Sequence, residues 1–138
     1  MSPVAAAVEA APLDIVVPYT TPELTRLALR KAGELSAHMP SAIRVLRMQR
    51  VPFPLQLNQC PVSIESLRDQ TGRIAQDTAA TEVKIFLTRD PDETLMNELQ
   101  PGSIIVIASK KRWWRTAQER LKQNCARRGH HVTLIYSR

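Results

Sequence analysis

The run Gly102-Ser103-Ile104-Ile105-Val106-Ile107-Ala108-Ser109 decides how the rest of the chain is read. Pro101 and Gly102 turn into it, and Lys110-Lys111-Arg112 follows it. Its centre is short, β-branched and apolar at consecutive positions, so both faces of the strand need cover. Helices give that cover on both sides in a sheet of parallel strands joined by crossovers. We therefore expect residues 103–108 to form the middle strand of one such sheet.

Upstream, Asp90-Pro91-Asp92-Glu93 reads as a capped helix start with proline at the first helical position, followed by Leu95, Met96 and Leu99. Glu82–Thr88 alternates as a strand. Ser63 caps an earlier helix in which Ile64, Leu67, Thr71, Ile74, Ala75 and Thr78 share a face. The two prolines of Val51-Pro52-Phe53-Pro54-Leu55 exclude a helix interior and a central strand. That stretch is expected to be an extended loop with Phe53 and Leu55 tucked in, and a candidate partner surface. Ala42–Met48 is a strand whose basic residues suggest a place nearer the sheet edge. Before it, Thr21-Pro22-Glu23 opens a helix with Leu24, Leu27, Ala28, Lys31 and Leu35 on one side and Pro40 beyond its end. Leu13–Val17 is the first strand, and residues 1–12, rich in Ala and Pro, read as a disordered tail.

Downstream, Trp113, Trp114, Ala117, Leu121 and Cys125 mark a last helix that Gly129 stops, and His131–Tyr136 is the last strand. Strands and helices thus alternate from first to last. Right-handed crossovers then favour a single doubly wound α/β domain over residues 13–138.

A chain of 138 residues suits one domain. Its formal net charge of +6 favours anionic partners or serves solubility alone. Cys60 and Cys125 form no CxxC pair, and His38, His130 and His131 lack ligand spacing, so no metal is expected. No apolar run nears the ~20 residues of a membrane span. With no signal-peptide pattern, the chain reads as cytoplasmic and reduced.

Ligands of doubly wound sheets bind outside the carboxyl ends of the strands. Tyr19, Thr20 and Thr21 follow the first strand, Thr88 and Arg89 the third, and Ser109, Lys110 and Lys111 the fourth. Two of these ends lead into helix N-termini, whose free amides favour anions. A phosphate-bearing ligand fits them. In the competing reading Arg89 pairs with Asp90 or another acid and Lys110 is only solvated. There is no GxGxxG and no Walker A run, and Ala108–Lys111 holds no glycine. Side chains would have to hold any polyphosphate.

No catalytic residue is assigned, and the chain is not expected to be an enzyme. The histidines lie far from these strand ends, Asp14 stands at the opposite end of its strand, and Cys125 falls on an apolar stripe. Lys110, Lys111, Arg112 and Arg115 around the two tryptophans form a basic patch. It reads as a solvated face over a core tryptophan, a protein or subunit interface, a nucleic-acid surface or a membrane anchor.

Leu13–Thr21 with Ala28 and Ala32, Asp90–Leu95, Gly102–Lys110 and His131–Tyr136 together resemble the universal stress protein family over residues 12–137. The resemblance implies a five-stranded parallel sheet of order 3-2-1-4-5. It also implies a homodimer joined through the last strand, with Val132, Leu134 and Tyr136 at the interface. Some members bind ATP and some do not. The family's acidic residue after the first strand falls on Tyr19, and its glycine-x-x-glycine falls on Ala108-Ser109-Lys110-Lys111 without either glycine. Its glycine-Ser/Thr pair before the last helix finds no match near Gln118 or Leu121. The chain therefore resembles members lacking the ATP-binding glycine motif. Its expected role is a small regulatory or stress-response interaction protein with no cofactor and little or no ATP affinity. One alternative is a nucleotide sensor or weak ATPase that takes ATP or AMP at the ends of strands one, three and four. Another is a nucleic-acid-binding protein using the basic patch.

Overall fold

The computed structural model describes residues 13–59, 62–76, 78–111 and 116–137. Expectations placed on residues 1–12, Cys60, Arg112, Trp113, Trp114 and Arg115 lie outside the described residues. The elements are β1 (Leu13–Pro18), α1 (Pro22–Ser36), β2 (Ser41–Arg50), α2 (Ile64–Ala75), β3 (Glu82–Thr88), α3 (Pro91–Glu98), β4 (Ile104–Lys110), α4 (Ala117–Arg127) and β5 (His131–Ser137). The sheet runs β3-β2-β1-β4-β5, with every neighbouring pair parallel.

Alternation along the strands divides the core in two. Ile15, Val17, Ile43, Val45, Val106 and Ala108 face α1 and α2, against Leu24, Ala28, Leu29, Ala32, Ile74 and Ala75. Val16, Leu46, Ile105 and Ile107 face α3 and α4, against Leu95, Met96, Leu99 and Cys125. The apolar run of β4 is covered on both sides, as its composition requires. The middle strand, however, is β1 and not residues 103–108. β4 lies between β1 and β5, and β2 lies equally far from an edge. The basic residues of β2 therefore mark no edge. Arg44 is paired with Asp14, and Arg47 reaches over Tyr19 to α2.

Local signals set most boundaries. Thr21, Ser63 and Asp90 each accept a bond from a first-turn amide of the helix they precede. Gly102 and Gly129 take φ values of 84° and 85°, a backbone region that favours glycine, at the turns into β4 and β5. The last helix opens at Ala117. Thr116 caps it, and Glu119 completes a reciprocal capping box. α2 stops at Ala75, so Thr78 lies past its end and donates back to the Ala75 carbonyl. In the 51–55 loop, Val51 is the buried residue, while Phe53 is 81 % exposed rather than tucked in. Its ring lies against the Arg89 guanidinium, 4.1 Å from the ring centre, so packing comes from a cation on the outside and not from the core.

Candidate functional site

The two ends of the sheet differ in how polar groups are held. At the amino ends, the Asp14 carboxylate accepts from Arg44 Nε at 2.9 Å, from Arg44 Nη2 at 3.0 Å and from Ser103 Oγ at 2.6 Å. Arg44 also donates to the Glu98 carbonyl at 3.2 Å. Burial pushes the Asp14 carboxyl up, but the bonds from Arg44 and Ser103 and the Arg44 charge outweigh it and hold the carboxyl below its ordinary value. This network ties β1, β2 and the turn before β4 together. Asp14 is structural and stands away from the ligand end, as its place in the strand suggests.

At the carboxyl ends, chain order reverses around β1, whose neighbours are β2 and β4. Six residues of β1 pair with β2, whereas only Ile15 and Val16 pair with β4. Beyond Val16 these two strands share no ladder, and such a switch point is where ligands of doubly wound sheets bind. On its β1 side, the Tyr19 amide donates to the Leu46 carbonyl and the Thr20 amide to Thr25 Oγ1. Thr21 Oγ1 caps α1 by accepting from the Leu24 amide. The half-buried Tyr19 ring has the Arg47 guanidinium 4.0 Å from its centre.

On the β4 side, Ser109 is fully buried, and its hydroxyl lies 2.9 Å from that of Thr116. Lys110 and Lys111 are exposed, and no described carboxylate pairs with either. Tyr136 sits beside Ser109 across the ladder and donates to Glu119 Oε2 at 2.8 Å, a bond that raises the tyrosine pKa.

Adjacent strands thus bring Tyr19, Thr20 and Thr21 to the same end as Ser109, Lys110 and Lys111. Thr88 and Arg89 are set apart at the end of edge strand β3, two strands or roughly 10 Å from β1. Thr88 Oγ1 is 2.6 Å from Thr94 Oγ1 and accepts from the Asp90 amide. Arg89 donates to the carbonyls of Val51 and Leu55. It therefore serves the proline loop and pairs with no described acid. Val132 and Leu134 pack against the α3–α4 core from edge strand β5, and Tyr136 is 45 % exposed. Among the described residues, no cluster of His, Cys, Asp or Glu has the makings of a metal site. Nor is any described helix long and apolar enough to cross a membrane.

Sequence reasoning passed over Thr116, the hydroxyl that Ser109 meets. Its signal was present in Thr116-x-x-Glu119, the capping-box spacing. It also passed over Arg47, whose partners on Tyr19 and α2 are visible only once the strands are paired.

The fold defines a doubly wound α/β protein whose strand order reverses at β1, between β2 and β4. No protein-family model matches the chain, and no curated protein matches it. Solved structures do. The chain is similar to a universal stress protein from Archaeoglobus fulgidus, with 17 % identity, a TM-score of 0.63, and 89 % of this chain and 93 % of that one covered. It is also similar to a universal stress protein solved in complex with cAMP, with 16 % identity, a TM-score of 0.60, and 94 % and 100 % covered. Its fold is that of the universal stress proteins.

Proposed function

We propose that this chain is a small cytoplasmic regulatory protein of the universal-stress-protein type that binds a nucleotide at the carboxyl ends of β1 and β4. The observation that carries the reading is the pair of exposed cations, Lys110 and Lys111, which no described acid pairs, at the switch point of a fold that is solved with cAMP in a similar protein. In this reading the two ammonium groups neutralise a phosphate, and Tyr19 and Thr20 border the sugar and base. The loop after β4 has no glycine to turn successive amides inward, so it suits one phosphodiester charge better than a triphosphate. The preferred ligand is then a cyclic or mononucleotide and not ATP. The proposal is for binding, without turnover. The buried free thiol of Cys125, its pKa pushed up to about 11 chiefly by burial, suits a reducing compartment. β5, an open edge bearing Leu134 and Tyr136, is the surface for a second copy of the chain.

Calorimetry with cAMP, AMP and ATP tests this. Saturable binding of cAMP or AMP is expected, weakened roughly tenfold or more in the Lys110→Gln/Lys111→Gln chain, a loss of about 1.4 kcal/mol. Absence of binding, or equal binding by that variant, would overturn it. A second reading, an interaction protein with little or no nucleotide affinity, draws on the internal bonds of Ser109, Thr116 and Arg89. It gains if all three nucleotides fail while light scattering shows a dimer.

A further inference from the structure

The helical layer over Ile15 and Val17 has a basic furrow that shares only Tyr19, at one end, with the nucleotide reading. A furrow between α1 and α2 holds two adjoining hollows. One, of about 420 Å³, is lined by Arg26, Arg30 and Arg73 over Leu29 and Ile74. The other, of about 300 Å³, repeats Arg26 and Arg73 and extends to Gln70 and Tyr19. Among the described residues that line them there is no acid.

Positions 26 and 30 lie one helical turn apart, so both guanidinium groups leave the same side of α1, with Arg73 across the furrow on α2. Like charges so placed repel, and no described carboxylate pairs with any of the three. Glu23 and Asp69 lie on the same helices but line neither hollow.

The furrow between α3 and α4, on the other face of the sheet, shows the alternative. Its hollow of about 350 Å³ sets Asp90, Asp92 and Glu93 against Arg127 and Arg128. Arg128 Nη2 stands 3.1 Å from Glu93 Oε2 there. The two furrows are similar in size, but one sets acids among its cations and pairs Arg128, whereas the other brings its three arginines together with no described acid in the lining.

We propose that the α1–α2 furrow binds a small anion bearing two or more phosphate groups, gripped between Arg26 and Arg73, with Arg30 on the next turn. The guanidinium fork matches phosphate oxygens two at a time. The buried Leu29 and Ile74 beneath exclude water from one side and so strengthen the contacts. A chain of phosphates can engage cations along a full turn of α1 and across on α2 at the same time, with more contacts than one phosphate makes. A hollow of this size suits a small molecule.

Inorganic tripolyphosphate is the probe, titrated calorimetrically into the full chain at low ionic strength, with orthophosphate alongside. Saturable binding is expected, roughly tenfold or more tighter than for orthophosphate, and weakened at least as much by Arg26→Gln/Arg73→Gln. The control Arg120→Gln/Lys122→Gln, with the same charge removed from α4, should retain it. If Arg26→Gln/Arg73→Gln fails to fold, amide shift mapping on the unaltered chain replaces it, with changes expected along α1 and α2. No binding, parity with orthophosphate, or shifts lying elsewhere would overturn the proposal. So would equal loss in the α4 control, or a preference for polyglutamate or single-stranded RNA over tripolyphosphate. cAMP affinity should survive Arg26→Gln/Arg73→Gln, which separates this site from the ends of β1 and β4.

Discussion

At the amino ends of the strands, Asp14, Arg44 and Ser103 bond one another, and β1, β2 and the turn into β4 hang on them. At the carboxyl ends, Ser109 meets Thr116, Thr88 meets Thr94, and the lysines that follow β4 have no described ionic partner. Charge is spent on structure at one end. At the other, hydroxyl pairs hold the ends of β3 and β4 and Arg89 holds the proline loop, while the charges of Lys110 and Lys111 are left for solvent or a ligand. Substitutions at the two ends should therefore separate stability from binding.

The largest effect is expected from Asp14→Ala. It strands a guanidinium whose side chain is only 13 % exposed, and should cost about 2–3 kcal/mol in urea unfolding, the partial exposure holding it below a fully buried pair. Nucleotide affinity should not change. A comparable loss of stability from Lys110→Gln/Lys111→Gln would break the comparison.

Acid sharpens it. The Asp14 carboxyl is held below its ordinary value of 3.8, so the folded state binds its proton later than the unfolded state does. Its contribution is present above the unfolded pKa and lost as pH falls through the folded one. Stability measured from about pH 5 downward should fall with acid, and Asp14→Asn should flatten that slope.

Thr116→Ala comes next. It removes the cap of α4 and the partner of the buried Ser109 hydroxyl, for an expected loss of about 1–2 kcal/mol. Thermal melts would read it. The smallest change belongs to Lys110→Gln/Lys111→Gln, expected to alter stability by less than about 0.5 kcal/mol while weakening nucleotide binding roughly tenfold or more.

Features that depend on neighbours in sequence were legible there. The run of β4 announced a strand covered on both faces. The caps at Thr21, Ser63 and Asp90 act within one turn, so their helices start where the residues say. The start of α4 was equally local, since Thr116 and Glu119 three residues apart mark it. Long-range facts were not legible in local runs. The order 3-2-1-4-5, with β1 in the middle, followed from the family resemblance and is the order found, whereas the β4 run alone pointed to the wrong middle strand because no single run encodes which way each crossover turns. Arg89 meets Val51, 38 positions away, and Arg44 meets Asp14, 30 positions away, so neither partner could be read locally. The same holds for the candidate site. Its residues at the ends of β1 and β4 come together, while Thr88 and Arg89 stay with the far edge.

Amide shift mapping of the labelled chain during a cAMP titration tests the central claim most directly. The account predicts saturating changes at Tyr19, Thr20 and Thr21 and at Ser109, Lys110 and Lys111, with Asp14 and Arg44 unmoved. Changes confined to the α1–α2 furrow, or none at saturating nucleotide, would contradict it.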